Sequence, residues 1–464
     1  MYRVDASSPR AAAADASDAS GDRGRRVVCD ASPCSSAQAG DLLLREPPFA
    51  AVLDPSRWAT HCHACFRSAE DAAATLSRCG RCRVAYYCSR ACQQRDWKPD
   101  HVAECSTLAQ LTALKLRSDQ LSDVLLLGRV VRRVTAAMPN ADDALSATVS
   151  PLRLAWHEDD CTQEMELLAV LTQKLGLVRG EATATSLQHL QRLLSRLRNN
   201  NFSICDARLV PVGAGCFPLA AMVNHSCEPN AAITFEASTH TVAFRALRSI
   251  PSGEEITHAY DDMALPRTER QERLRRRYHF TCACVRCASP MSDPASRDRF
   301  LDADVDGVTS AQWSLARHRQ VDEAVAVVAA AANAPSRAEA ITVLTQALVV
   351  QDTVLHPDNI QRLATLSQLF TLQVQERSSL SDAVVTGEQI LRVYKRVYSS
   401  HHAMVGLHLF TLGDLCAAEG SREKAREYLT AAHETLRVTH GVDHAFVGMA
   451  QQRLAELQSA VTQP

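Results

Sequence analysis

The chain has 464 residues, too many for one core and enough for two to four domains. Its 50 Lys and Arg against 52 Asp and Glu leave a formal net charge of −2, which excludes a bulk pull toward nucleic acid or an anionic membrane surface. The 17 cysteines fall largely in tight ligand-spaced groups, so metal in a reducing compartment is expected rather than a secreted disulfide framework.

Residues 1–22 are rich in Ala, Ser and Asp and are expected to be a disordered tail without the pattern of a signal or transit peptide. No apolar run reaches bilayer-spanning length, so no membrane association is expected. Over 23–61 the apolar runs are short. Val27-Val28, Leu42 to Leu44 and Phe49 to Leu53, broken by Pro47-Pro48, predict strands.

Between residues 62 and 105 the ligand density rises sharply. Cys62, Cys65, Cys79, Cys82, Cys88, Cys92, His101 and Cys105 supply eight soft ligands, enough for two closed tetrahedral zinc sites. With Tyr86-Tyr87-Cys88, Cys92-Gln93 and Trp97 between the ligands, the segment resembles a MYND finger. That resemblance implies cross-braced pairing: Cys62, Cys65, Cys88 and Cys92 on one ion, and Cys79, Cys82, His101 and Cys105 on the other. Eight residues separate Cys92 from His101, one more than the pattern has, and the extra residue is expected in a loop. Closed sites of this kind are structural. The resemblance further implies docking of proline-rich peptides. Arg78, Arg81, Arg83, Arg90, Arg95 and Lys98 make the segment basic, which reads mainly as a solvated face and secondarily as a weak nucleic-acid contact.

Residues 106–198 carry helical spacing, with Leu121, Val124, Leu125, Gly128 and Val131 on one face and Leu187, Leu190, Leu194 and Leu197 on another. Short alternating segments return over 199–262, with a turn at Pro251-Ser252-Gly253. This stretch contains Asn224-His225-Ser226-Cys227-Glu228-Pro229-Asn230 and, further on, Gly253-Glu254-Glu255-Ile256 with Tyr260. These segments resemble the two signature motifs of SET-domain lysine methyltransferases. Residues 263–290 hold an arginine-rich helix, expected to be solvated, and then Cys282, Cys284 and Cys287. Three ligands leave a zinc site one short, and the resemblance supplies Cys227 as the fourth. Cys161, Cys205, Cys216 and Cys416 read as small core residues, and His240 and His258 as surface or strand residues. From 291 to 464 the chain reads as amphipathic helices. Leu412-Gly413, Cys416, Ala425, Leu429 and Ala432 fit one tetratricopeptide-like (TPR-like) hairpin.

The order of parts resembles the SMYD family of SET-and-MYND proteins. Leu126-Leu127-Gly128-Arg129-Val130-Val131 and Arg437-Val438-Thr439-His440-Gly441 match its linker and its terminal helices. The expected architecture is α+β and multidomain: a SET β-fold split by a MYND zinc finger, a post-SET zinc site and an all-α TPR-like C-terminal domain. The resemblance implies a protein-lysine N-methyltransferase that uses S-adenosyl-L-methionine and holds three Zn²⁺. Tyr260 and Tyr278 are its expected catalytic residues. Its cofactor residues are Arg23, Gly24, Arg25, Asn200, Asn224, His225, Tyr260 and Phe280, with Arg26 standing where the family turn has a second glycine. The substrate channel is expected between the SET core and the C-terminal helices. A histone or non-histone protein substrate, a monomeric chain and a nuclear and cytoplasmic location complete the expectation. The competing expectation, favoured by Arg26, is a catalytically inactive SET scaffold that co-regulates transcription by recruiting partners through its MYND finger.

Overall fold

The computed structural model describes residues 2–5, 26–30, 36–137, 150–180, 183–376 and 380–459. Strand β1 (Tyr2–Asp5) pairs antiparallel with β2 (Arg26–Cys29), placing Tyr2 opposite Cys29 and Asp5 opposite Arg26. This corrects the expectation of a uniformly disordered tail over 1–22. Tyr2 and Val4 alternate with Arg3 and pack against the core, which is the period-2 pattern of a half-buried strand. Arg26 is the first residue of an extended strand, where arginine fits without the positive φ that glycine relieves. Arg23, Gly24 and Arg25 lie outside the described residues.

The split domain is closed by strands from both sides of the finger. Strand β3 (Leu42–Glu46) pairs with β11 (Val242–Ala246), which pairs with β10 (Ala231–Phe235). Strand β4 (Ala50–Leu53) pairs with β8 (Pro211–Cys216), and β8 with β7 (Asn201–Cys205). A short parallel pair, β9 (Asn224–His225) and β12 (Thr257–His258), brings the two signature motifs side by side. Val27, Leu43, Leu44, Val52, Phe217 and Phe244 are among the residues of the core these sheets share.

In the finger, β5 (Ser77–Arg78) pairs with β6 (Tyr86–Tyr87). The helix Arg90–Asp96 starts at Ser89, whose hydroxyl accepts from the Cys92 N–H. It runs directly into a π-helical turn, Trp97–His101, with the Val102 N–H reaching the Trp97 carbonyl. The extra residue between Cys92 and His101 therefore sits in a helix and not in a loop. A π turn is how a helix absorbs one inserted residue. Just beyond it, Arg129 donates to both oxygens of Glu104 at 3.0 and 2.8 Å, and Arg133 donates to Asp100 at 2.6 Å. Arg129 also donates to the Ala51 carbonyl at 2.5 Å, so the linker helix Ser118–Ala137 pins the finger to β4. Burial works against the Glu104 carboxylate, yet Arg129 and Arg132 hold its pKa below the usual range. Losing one partner from such a buried network costs about 3–5 kcal/mol.

Helices Gln163–Lys174 and Ala184–Asn200 follow, capped by Thr162 and Thr183, with Leu190, Leu194 and Leu197 buried as the spacing predicts. The helix Arg267–Tyr278 differs from its solvated reading, because Arg270 and Leu274 are buried. The C-terminal helices Leu315–Ala329, Arg337–Gln351, Ile360–Glu376, Leu380–Val397, Ala403–Glu419, Arg422–His440 and Ala445–Ser459 pack in succession. The hairpin read from the sequence is present. A Cβ at Gly413 would stand 2.6 Å from the Leu429 Cγ, so the close approach of the two helices requires glycine there. Among the described residues no helix is long and apolar enough to cross a membrane.

Candidate active site and metal centres

Three four-ligand clusters form: Cys62, Cys65, Cys88 and Cys92; Cys79, Cys82, His101 and Cys105; and Cys227, Cys282, Cys284 and Cys287. The cross-braced pairing and the Cys227 closure are both present. Sulfur separations of 3.7 Å (Cys65–Cys88), 3.9 Å (Cys79–Cys105) and 3.5 Å (Cys287–Cys227) match the ~3.8 Å edge of a tetrahedron with ~2.3 Å Zn–S bonds. His101 Nε2 stands 3.4 Å from the Cys79 sulfur, also in register with that geometry. The donor sets are all thiolate or thiolate with imidazole, which suits zinc.

The third cluster reaches directly into the candidate active site. The Tyr260 N–H donates to His225 Nδ1 at 2.9 Å, so the neutral ring carries its proton on Nε2. Nε2 then donates to the Cys227 sulfur at 3.2 Å. On the other side, Arg270 Nε lies 3.2 Å from the same sulfur, and both terminal nitrogens of Arg270 bind Asp298 at 2.9 Å. Arg270 and Asp298 are each 1 % exposed. Sequence reading missed both, since only tertiary structure distinguishes Arg270 from the solvated arginines beside it.

Around Tyr260 the side chains form a wall of rings. Tyr278 lies 4.8 Å and Phe280 6.4 Å from it, centroid to centroid, and His225 lies 5.2 Å away. These rings line a cavity of about 1320 Å³. A single small-molecule pocket occupies about 300–1,000 Å³, so this one has room for a cofactor and part of a substrate chain. It runs from Asn200, Phe202 and Asn224 to His440 and His444, so a cavity lies where SET-core and C-terminal residues meet. The Tyr260 hydroxyl donates to the Val223 carbonyl at 2.8 Å. Burial pushes its pKa above the ordinary phenol range, as it does for Tyr278.

The polar residues expected at the cofactor also line this cavity, with part of their capacity already used. Asn224 Nδ2 donates to Glu255 at 2.7 Å, and Asn200 Nδ2 donates to the Ala155 and Arg196 carbonyls at 2.8 Å. Each amide therefore has its carbonyl oxygen left to offer. The His225 ring is committed between Tyr260 and Cys227, so only its backbone remains for a ligand. Oxygen acceptors and aromatic faces beside a long cleft fit a nucleoside carrying a sulfonium charge. Of the surface-or-strand reading of His258 and His240, the surface part does not hold, since both are buried, while the strand part holds for His258. His258 is a strand residue that lines the cavity. His240 stacks on Phe66 at 3.9 Å. Cys216 and Cys416 are buried as expected, whereas Cys161 and Cys205 are only half-buried and Cys205 lines the cavity.

The family model of the MYND finger matches residues 62–105, and that of the SET domain matches 154–261. The histone-lysine N-methyltransferase SMYD3 of Mus musculus is 29 % identical over 421 residues, covering 88 % of this chain and 90 % of that protein. The histone-lysine N-methyltransferase ASHR1 of Arabidopsis thaliana is 26 % identical, covering 90 % and 91 %. The N-lysine methyltransferase SMYD2 of Gallus gallus is 27 % identical, covering 90 % and 92 %. The chain thus carries a MYND finger followed by a SET domain and is similar along nearly its whole length to histone-lysine and N-lysine methyltransferases of the SMYD type, which together support a protein-lysine methyltransferase.

Proposed function

We propose that this protein transfers a methyl group from S-adenosyl-L-methionine to lysine side chains of histone or non-histone proteins, with one Zn²⁺ in each of its three clusters. The observation that carries the reading is Tyr260, held between a zinc-ligand network and a ring-lined cavity. When bound, the cofactor supplies an electrophilic methyl on a sulfonium. The protein's own task is to deliver a neutral amine in line with it. A lysine amine titrates near 10.4 in water, and the dry aromatic walls of Tyr260, Tyr278 and Phe280 favour its uncharged form. Tyr260 stays protonated, so it does not act as the base. Its O–H is fixed on the Val223 carbonyl, and its oxygen lone pairs remain to orient the nucleophile.

The C-terminal helices close one end of the cavity, which suits a peptide segment entering between the two halves. The MYND finger is read as a docking module for proline-rich partners. Its exposed arginines allow at most a weak nucleic-acid contact. A monomer that acts on chromatin in the nucleus and on other proteins in the cytoplasm is consistent with the near-zero net charge and thiolate-rich metal sites. Calorimetric titration with S-adenosyl-L-methionine tests the reading. Saturable one-site binding is expected, and absence of binding at millimolar cofactor would favour an inactive scaffold.

A further inference from the structure

Two stretches of the cavity lining are joined by a polar bridge that the steps of methyl transfer leave unused. One stretch carries Tyr278 and Phe280, and the other carries His157, Asn199 and Asn200. His279 stands between the two rings in sequence but is not itself part of the lining. It caps the helix Arg267–Tyr278 in the left-handed region, at φ 57° and ψ 30°, with its N–H on the Arg275 carbonyl. Glycine or asparagine is the usual residue at such a cap, and a larger side chain there is strained. The imidazole supplies what offsets that strain. Its Nε2 lies 2.7 Å from Asp160 Oδ1. A carboxylate can only accept, so Nε2 carries the proton and donates it. The other Asp160 oxygen accepts from Asn199 Nδ2 at 2.6 Å, and Asn200 Nδ2 donates to the Ala155 carbonyl at 2.8 Å. Residues 155–160 are therefore fastened to the end of the helix Ala184–Asn200. The His157 ring packs beside that of His279, with centroids 4.0 Å apart. The His279 and Asp160 side chains are 28 % and 17 % exposed, so the bridge stands at the outer rim of the cavity. Arg277 adds a weaker tie between the same elements, from Nη2 to the Arg198 carbonyl at 3.4 Å.

We propose that His279 is a positioning residue whose bond to Asp160 holds these two stretches together and slows the escape of bound S-adenosyl-L-methionine. This rests on the methyl-transfer reading, with Asn200 and Phe280, one from each stretch, contacting the cofactor. An occupant gripped from both sides leaves only when the two sides part, and parting breaks the bridge. The bridge touches neither the cofactor nor the reacting atoms. Its effect is the same for the bound ground state and the transition state, so it lowers KM for the cofactor and leaves kcat alone. The cap and the bridge at position 279 are separable by substitution. Glycine accepts the left-handed backbone and removes the bridge. Asparagine tolerates the same backbone and keeps an N–H donor.

The test follows release of radiolabelled S-adenosyl-L-methionine from the full-length protein after dilution into excess unlabelled cofactor. His279→Gly should release it about fivefold faster and raise its KM about fivefold, the scale of a partly exposed ion pair, with kcat within about twofold. The melting temperature of that variant should not fall, because glycine relieves the cap. His279→Asn should bring release back to within about twofold of the unaltered rate. Asp160→Ala opens the bridge from its other side and should match His279→Gly, and the double variant should release no faster than either single one. If His279→Gly does not fold, as judged by its melting curve, Asp160→Ala and His279→Asn carry the comparison. Release at the unaltered rate in a folded His279→Gly or Asp160→Ala variant overturns the inference. So do an asparagine variant as fast as the opened ones and effects that multiply in the double variant. Failure of the unaltered protein to bind labelled cofactor overturns the methyl-transfer reading itself, and the two failures are thereby told apart.

Discussion

The backbone N–H of Tyr260 and the Nδ1 of His225 share a 2.9 Å hydrogen bond, and through the His225 ring this bond continues to the Cys227 sulfur at 3.2 Å. The expected catalytic tyrosine is thus one side chain away from a candidate zinc ligand. An ion placed there would orient the active site as well as hold the fold. Replacing Cys284, another ligand of the same cluster that lies outside the cavity lining, should test the link. Cys284→Ala should lower the zinc content by one ion and reduce methyl transfer about 100-fold, measured by elemental analysis and label transfer.

Arg270 acts on the opposite side of Cys227. Its buried guanidinium faces the thiolate and is held by Asp298, which also binds Arg286 at 2.6 Å. Arg270→Met removes a positive charge beside the Cys227 thiolate and strips Asp298 of one partner. Zinc release to a colorimetric chelator should accelerate about 10–100-fold. Arg273→Met, on an exposed arginine of the same helix, should leave that rate unchanged.

Glu46 gives a pH dependence. Its half-buried carboxyl accepts from the Leu219 and Ala220 N–H groups at 3.0 and 2.7 Å, but burial outweighs them and pushes its pKa up to about 7. A folded-state pKa above the unfolded one means that the proton favours the folded state. This contribution is complete below about pH 4 and is lost as pH rises to about 7, with about 3 kcal/mol as the upper bound for the whole swing. Denaturant melts across that window should show stability falling with rising pH, and Glu46→Gln should flatten the slope.

The Gly413–Leu429 contact predicts a packing defect in the C-terminal helices. Gly413→Ala places a methyl 2.6 Å from the Leu429 Cγ and should destabilise that domain by about 1–3 kcal/mol in thermal or urea melts.

Much of this arrangement was legible in the chain itself. The eight finger ligands announce themselves by spacing, because short loops and helical turns bring ligands three and four residues apart onto one ion. Cys227 and the Cys282–Cys287 group are joined only by the family motif, since no local pattern spans the residues between them. The π turn at Trp97–His101 was not legible, because one inserted residue reads alike in a loop and in a helix. Arg270 and His258 escaped for a shared reason. Among several arginines on one helix, or for a histidine alternating in a strand, burial is decided by the partner surface. Tyr2–Asp5 is too short a segment to outweigh the Ala-, Ser- and Asp-rich composition of its neighbours.

The Tyr260→Phe variant tests the central claim most directly, with transfer from labelled S-adenosyl-L-methionine to protein lysine measured beside cofactor affinity. The hydroxyl held on the Val223 carbonyl should be needed for transfer but not for binding. The expected result is cofactor affinity unchanged within a few-fold and a transfer rate lower by about 100-fold. Transfer at the unaltered rate in that variant would contradict the account.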